Sequence, residues 1–192
     1  IIHIINSQTK MSLLITLTTD ETFNKSIIEY KNDLKKDINK SKDITWFKNQ
    51  DHLVSLKFIA RIEPEQTEEL ISLLQDSLPG TGFVTLNVEE VNYFPNDKGK
   101  SLVTFLETSK TFKALYKKIL KATGIVGFDE DSKNFRPHIT LARYKNIEDK
   151  HKEIPELKLK EKGKSKSIDL LNVEYEKGNR KLSLIARIDL VN

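Results

Sequence analysis

An imidazole and a hydroxyl lie two residues apart in the sequence, at His138 and Thr140, within the segment NFRPHITLAR. The proline favours entry into a strand, and a strand places residues i and i+2 on the same face. An imidazole can transfer a proton near neutral pH, and a hydroxyl can donate a hydrogen bond to a phosphate oxygen. The pair therefore indicates phosphate chemistry. A single His-x-Thr is also frequent by chance, so this spacing alone does not assign a function.

The composition excludes several other kinds of site. The chain of 192 residues has no cysteine, which excludes disulfides, thiolate metal ligands and a cysteine nucleophile. His3 and His151 have no partner at metal-ligand spacing, so we expect no metal site and no cofactor. The net charge of +4 is a small difference between 32 basic and 28 acidic side chains, and it does not by itself imply nucleic acid.

The start of the chain differs from the remainder. Residues 1–10 (IIHIINSQTK) precede Met11, the sole methionine, and we interpret them as an N-terminal extension. They lack the basic region and the small-residue cleavage site of a signal peptide. No apolar run approaches the roughly 18 residues of a membrane-spanning helix. We expect residues 11–192 to form a single bilobal domain that is cytoplasmic, monomeric and not bound to a membrane.

Hydrophobic periodicity predicts three helices and about eight strands. Apolar spacings of three and four predict helices that begin near residue 20, at Pro64 and near Ser109. Strands and helices alternate only in the first two thirds of the chain, which favours an α+β fold with mainly antiparallel sheets. The lysine-rich residues 158–166 predict a solvated loop, or alternatively a basic lip for a polyanionic ligand. The predicted strands cover residues 12–18, 44–47, 53–62, 83–94, 101–107, 138–144, 168–175 and 182–190.

The string RPHITLAR resembles the second signature of the 2H phosphoesterase superfamily, in particular its bacterial-type RNA 2′,3′-cyclic phosphodiesterases, also called 2′-5′ RNA ligases. The resemblance covers nearly everything from Met11 onward. It includes ITWFKNQDHLVSLKF, VNYFPNDKGKSLVTFLE and SIDLLNVEYEKGNRKLSLIARIDL. It implies two pseudo-symmetric lobes of mainly antiparallel sheet, with helices packed outside, a cleft between the lobes and one His-x-Thr/Ser motif in each.

The first of these motifs departs from the family pattern His-x-Thr/Ser-apolar-x-Phe. When SLKF, which starts at Ser55, is aligned with that pattern, Leu53 rather than His52 takes the histidine position. Strict alternation leads to the same result, because His52 would point away from Ser55. The alternation predicts an apolar face of Val54, Leu56, Phe58 and Ala60, with Ser55, Lys57 and Arg61 on the opposite face.

Two explanations of this departure remain open. A β-bulge near Leu53, or a strand that begins after His52, would turn the imidazole back toward the cleft. Alternatively, the first histidine is lost and one acid–base group remains. We favour the first explanation, because one of only four histidines directly precedes the vacant position.

The resemblance implies metal-free catalysis in which His52 and His138 transfer protons while Ser55 and Thr140 hold the phosphoryl oxygens. The reaction would open 2′,3′-cyclic phosphate ends of RNA to 2′-phosphates, and its reverse would form a 2′-5′ linkage. The sequence does not assign which histidine is the acid and which is the base. Lys57 and Arg143, which follow the two motifs, are expected to bind substrate and to neutralise phosphate charge, with Arg136 and Lys145 as weaker candidates.

Two alternatives concern the function itself. Some relatives of this kind act on 2′-5′ oligoadenylates or on small cyclic nucleotides. A displaced first histidine is also compatible with a catalytically weakened module that binds RNA or nucleotides. In each case the expected partner is an RNA end or a nucleotide that carries a cyclic phosphate.

Overall fold

The computed structural model describes residues 11–38, 43–96, 98–128, 135–146, 148, 154, 162–177 and 179–191. These residues form strands, three α-helices and a single 3₁₀ turn. In chain order the elements are β1 (Met11–Leu17), α1 (Glu21–Ile38), β2 (Ile44–Trp46), the 3₁₀ turn (Asn49–Asp51), β3 (Val54–Ile62), α2 (Pro64–Ser77), β4 (Val84–Leu86), β5 (Val88–Phe94), β6 (Ser101–Leu106), α3 (Lys110–Ile125), β7 (His138–Tyr144), β8 (Gly163–Ser165), β9 (Ser167–Glu176) and β10 (Asn179–Asp189).

Two four-stranded antiparallel sheets form the frames of two lobes. The first sheet has the order β10-β9-β1-β3, and the second has the order β2-β7-β6-β5. In each lobe a strand leads into a helix, and the next long strand pairs beside the first, as β1-α1-β3 and as β6-α3-β7. The predicted α+β class and its two-lobed arrangement are confirmed.

The helices form where apolar periodicity and capping residues coincide. In α1 the predicted stripe is buried, with Phe23, Ile27 and Leu34 at most 1% exposed. The Phe23 amide donates to Asp20 Oδ1 at 2.9 Å, and the Phe112 amide of α3 donates to Ser109 Oγ at 3.1 Å. Such caps satisfy amides that have no partner within the helix. The first turns of α1 and α3 are therefore fixed by side-chain hydrogen bonds.

A β-bulge interrupts β3 one residue after Ser55. Ser55 pairs with Thr16 and Lys57 pairs with Ile15, so Leu56 is the extra residue. The bulge predicted near Leu53 would have come before Ser55, whereas the observed bulge follows Ser55 and leaves the register of Val54 and Ser55 regular. Beyond it the alternation shifts by one residue.

This shift corrects the predicted faces of β3. Phe58 is 49% exposed and Ala60 is exposed, whereas Ile59 is 3% exposed. The predicted apolar face was wrong after Leu56, because strict alternation counts no extra residue. The same shift buries Lys57, which is 7% exposed.

Two further predictions are corrected by the pairing of β4 with β8. The run predicted as one strand over residues 83–94 is divided into β4 and β5. Within the lysine-rich stretch, Gly163–Ser165 forms a strand rather than a solvated loop, and a Cβ on Gly163 would lie 2.6 Å from Phe23 Cβ. Residues 158–161 and the predicted extension 1–10 lie outside the described residues. Among the described residues, no helix has the length and apolarity to cross a membrane.

Candidate active site

His138 is the first residue of β7, and its imidazole is held on three sides. Its Nδ1 lies 2.9 Å from the Arg136 carbonyl oxygen. Its ring stacks on Phe94 with the ring centroids 4.2 Å apart. It also meets the Phe105 ring edge-on, with the centroids 6.0 Å apart. A carbonyl oxygen only accepts hydrogen bonds, so Nδ1 is the donor and the neutral ring has its lone pair on Nε2.

Burial lowers the pKa of His138 below its ordinary value of 6.5. The hydrogen bond to the Arg136 carbonyl opposes this shift, and the positive charge of Arg136 adds to it. The lowered pKa therefore favours the neutral form of the imidazole at pH 7. Together with the fixed tautomer, this makes Nε2 a proton acceptor.

Arg136 is engaged by the neighbouring hairpin. Its Nη2 donates to Glu90 Oε1 at 2.7 Å and lies 3.4 Å from Glu89 Oε2. Its guanidinium carbon lies 3.8 Å from the Phe105 ring centroid. The hydrogen bond to Glu90 raises the pKa of Arg136. Two carboxylates therefore compensate the charge of Arg136. Its guanidinium helps to fix Phe105, which in turn contacts the His138 ring.

A second bulge places Thr140 and Arg143 on the same face of β7. Thr140 pairs with Val103 and Ala142 pairs with Leu102, so Leu141 is the extra residue. Leu141 and Ala142 are both fully buried, whereas Arg143 is exposed. Without the bulge, the Arg143 side chain would lie on the face opposite to Thr140. The bulge thus gives His138, Thr140 and Arg143 a common face.

The two bulges show which residues of the two motifs correspond. Each follows a hydroxyl residue directly, Ser55 in β3 and Thr140 in β7. Ser55 therefore corresponds to Thr140, and Leu53, two residues before Ser55, corresponds to His138. Leu53 is half-buried against an apolar cluster of Leu14, Leu171 and Val173.

His52 lies directly after the 3₁₀ turn and before β3 begins. Its backbone amide donates to the Asn49 carbonyl at 3.3 Å. The residue is 3% exposed, and both ring nitrogens are shielded from solvent. The strand does begin after His52, yet this start does not bring the imidazole to the surface. The structure therefore places His138, Thr140 and Arg143 on one face of β7, and it buries the imidazole of His52.

Lys57 and Phe58 take the places that Ala142 and Arg143 have in β7. The correspondence follows from counting forward from the bulged leucines. Lys57 is accordingly buried, and the exposed position is held by an aromatic ring. The first lobe thus offers a hydroxyl between apolar side chains where the second offers an imidazole, a hydroxyl and a guanidinium.

The sequence did not indicate the aromatic residues that enclose His138. Phe105 pairs directly with His138 across β6 and β7, and Phe94 comes from the neighbouring strand β5. The hairpin of β5 and β6 was predicted, but the register of β6 against β7 was not. Only the pairing of Phe105 with His138 in that register would have indicated these aromatic contacts. Among the described residues, no group of three or more His, Cys, Asp or Glu side chains could hold a metal ion.

The two-lobed α+β fold and the strand that carries His138 and Thr140 match the second half of the 2H phosphoesterase pattern, which has a His-x-Thr/Ser motif in each lobe. The sequence model of the 2′-5′ RNA ligase superfamily matches residues 54–177, which is more than half of the chain. The chain therefore belongs to the 2′-5′ RNA ligase superfamily.

Solved structures share the fold over nearly the whole chain. Apo LigT of E. coli superposes with a TM-score of 0.76 at 14% identity, covering 95% of this chain and 99% of LigT. TT0787 of Thermus thermophilus superposes with a TM-score of 0.79 at 16% identity, covering 94% of this chain and 98% of TT0787. A structure of E. coli LigT with 3′-AMP gives a TM-score of 0.74 at 14% identity, with coverages of 95% and 99%.

Proposed function

We propose that this protein is a phosphodiesterase that opens 2′,3′-cyclic phosphate ends of RNA to 2′-phosphates by acid–base catalysis, with 2′-5′ ligation as the reverse reaction. The observation that carries this proposal is the hydrogen bond from His138 Nδ1 to the Arg136 carbonyl, which leaves Nε2 as a proton acceptor on the face of Thr140. Superfamily membership supports the class of reaction. Structures of E. coli LigT with 3′-AMP and with phosphate are compatible with such a ligand.

In the proposed step, Nε2 of His138 accepts a proton from water while the water oxygen forms a bond to phosphorus. The bond between phosphorus and the ribose O3′ breaks, and O3′ leaves with a proton, so the product is a 2′-phosphate and a 3′-hydroxyl. Thr140 and Ser55 donate hydrogen bonds to the phosphoryl oxygens. Arg143 opposes the negative charge from the face it shares with Thr140.

The source of the proton that O3′ takes up is what distinguishes this site from one with two histidines. A second imidazole would supply that proton, but the ring nitrogens of His52 are shielded from solvent. In the proposed reaction, water supplies it instead. One positioned proton-transfer group contributes about 10² to 10⁴ in rate, so turnover is expected to be slow by that margin.

The test uses a 5′-labelled oligoribonucleotide that ends in a 2′,3′-cyclic phosphate, incubated with excess protein and EDTA. Wild type should convert the end to a 2′-phosphate, and His138→Asn should lower the rate at least about 100-fold. Equal conversion by both proteins would overturn the assignment of His138. A wild-type protein that makes no product would overturn the proposed activity.

The second candidate is an RNA- or nucleotide-binding module that does not turn over its ligand. The observation that favours it is Leu53, an apolar residue at the position that corresponds to His138. This candidate predicts that wild type binds the cyclic-phosphate oligonucleotide and that no product forms under excess protein.

A further inference from the structure

We propose that the pocket between β2 and the end of β7 is a second phosphate subsite, which binds the phosphodiester that precedes the cyclic end of the substrate. The proposal rests on the proposed function and deepens it, because it names a place for the phosphodiester that joins the cyclic end to the rest of the RNA. The pocket has a volume of about 430 Å³. It is lined by Asp43, Thr45, Phe47, Arg143, Tyr144 and Lys145.

The pocket is continuous with the face that carries His138. Thr45 pairs with Arg143 across β2 and β7, so both residues project to the same side of the sheet. The bulge at Leu141 brings Arg143 to the side of Thr140. The strand length between Thr140 and Arg143 is about 7 Å, since two rises of roughly 3.3 Å remain once the bulged residue is discounted. One nucleotide can span this separation.

The charges around the pocket favour a phosphate. Arg143 donates from Nε to the neutral hydroxyl of Ser101 at 3.4 Å, which leaves its charge uncompensated by that contact. Lys145 is exposed, and Lys100 donates to its carbonyl oxygen at 2.9 Å. Asp43 is the one carboxylate among the lining residues. Two cations, Arg143 and Lys145, against one carboxylate among the lining residues give a positive local potential.

Phe47 adds an aromatic surface next to these cations, and its backbone is held by two hydrogen bonds. Its amide donates to the Leu141 carbonyl at 2.9 Å, and its own carbonyl accepts from Lys31 Nζ at 2.8 Å. The guanidinium carbon of Arg180, on β10 in the other lobe, lies 6.0 Å from the Phe47 ring centroid. Basic residues beside an aromatic ring are typical of surfaces that bind single-stranded nucleic acid. The exposed part of this ring can therefore receive a base while the cations hold its phosphate.

The test compares two ligands that differ by one nucleotide. One is a mononucleotide 2′,3′-cyclic phosphate, and the other is a dinucleotide with the same cyclic end. Wild type should have the higher kcat/KM on the dinucleotide. Lys145→Glu should lower kcat/KM on the dinucleotide about tenfold and leave the mononucleotide within about twofold. The matched control Lys121→Glu reverses the charge of an exposed lysine on α3 and should change neither value.

A binding measurement separates this proposal from the proposed activity. The ligands are a mononucleotide and a dinucleotide that end in an ordinary 3′-phosphate, which cannot be opened. If wild type prefers the dinucleotide and Lys145→Glu loses the preference, the subsite holds even when no turnover occurs. If wild type binds both ligands equally, or if Lys145→Glu weakens both to the same extent, the subsite proposal is overturned.

Discussion

Leu53, directly before β3, and His138, the first residue of β7, hold corresponding positions. Each lies two residues before a hydroxyl side chain and three before a bulged leucine. The two strands share a backbone arrangement, and the difference between the lobes is in the side chains. The second lobe carries the imidazole, whereas the first carries a leucine packed in an apolar cluster. We therefore propose that the second lobe carries out the proton transfer.

Restoring a histidine at the corresponding position should raise activity. In Leu53→His a second imidazole would lie two residues before Ser55, where it could protonate the departing O3′. A well-positioned acid contributes about 10² to 10⁴, so we expect a gain of at least about tenfold for an introduced one. The measurement is the single-turnover rate on the cyclic-phosphate oligonucleotide. Leu53→Gln is the control, because it is polar but transfers no proton. A gain in Leu53→Gln, or none in Leu53→His, would refute the correspondence.

The pH dependence of the rate should reflect the protonation of the His138 imidazole. Burial lowers its pKa below 6.5, and a general base is active only when unprotonated. The value of kcat/KM should therefore decline toward acid with a midpoint below pH 6.5. Measurement of kcat/KM from pH 4.5 to 8 checks this expectation. A midpoint above pH 6.5 would contradict the burial of the ring.

The folding stability should also depend on pH through His138. Because the folded pKa of His138 is lowered, the unfolded chain binds more protons once the pH falls toward 6.5 and below. The contribution to stability is thus complete above the unfolded pKa and is lost as the pH falls through the folded one. Melting temperatures of wild type and His138→Asn between pH 5 and 7.5 test this. The wild type should lose more stability on acidification than the variant, and parallel curves would disagree with the lowered pKa.

Buried Lys31 should stabilise the segment that leads to the first motif. Its Nζ donates to the Phe47 carbonyl at 2.8 Å and to Asn49 Oδ1 at 2.7 Å, and the residue is 2% exposed. Lys31→Met should lower the free energy of unfolding by about 1.5–3 kcal/mol, the range for hydrogen bonds to charged groups. Lys36→Met, at an exposed pair on the same helix, should cost clearly less than Lys31→Met, because solvent screens an exposed ion pair. Chemical denaturation measures both, and equal losses would contradict the role of Lys31.

The sequence predicts the fold well because each helix and most strands carry a local signal. Apolar periodicity predicted α1, and the His-x-Thr spacing predicted that β7 would carry a site. The bulges at Leu56 and Leu141 could not be predicted in this way, because they arise from pairing with distant strands. For this reason the exposure of Phe58 and the burial of Lys57 were not expected. The aromatic contacts of His138 likewise depend on a register that no local pattern specifies.

The most direct test of the account asks which histidine transfers the proton. Single-turnover rates on the cyclic-phosphate oligonucleotide are compared for wild type, His52→Asn and His138→Asn, with melting curves to confirm folding. Because His52 is buried, His52→Gln is measured as well, so that one folded variant is available. The account predicts at least about a 100-fold loss in His138→Asn and a change within about twofold in a folded His52 variant. A loss of about 100-fold or more in a folded His52 variant would contradict it.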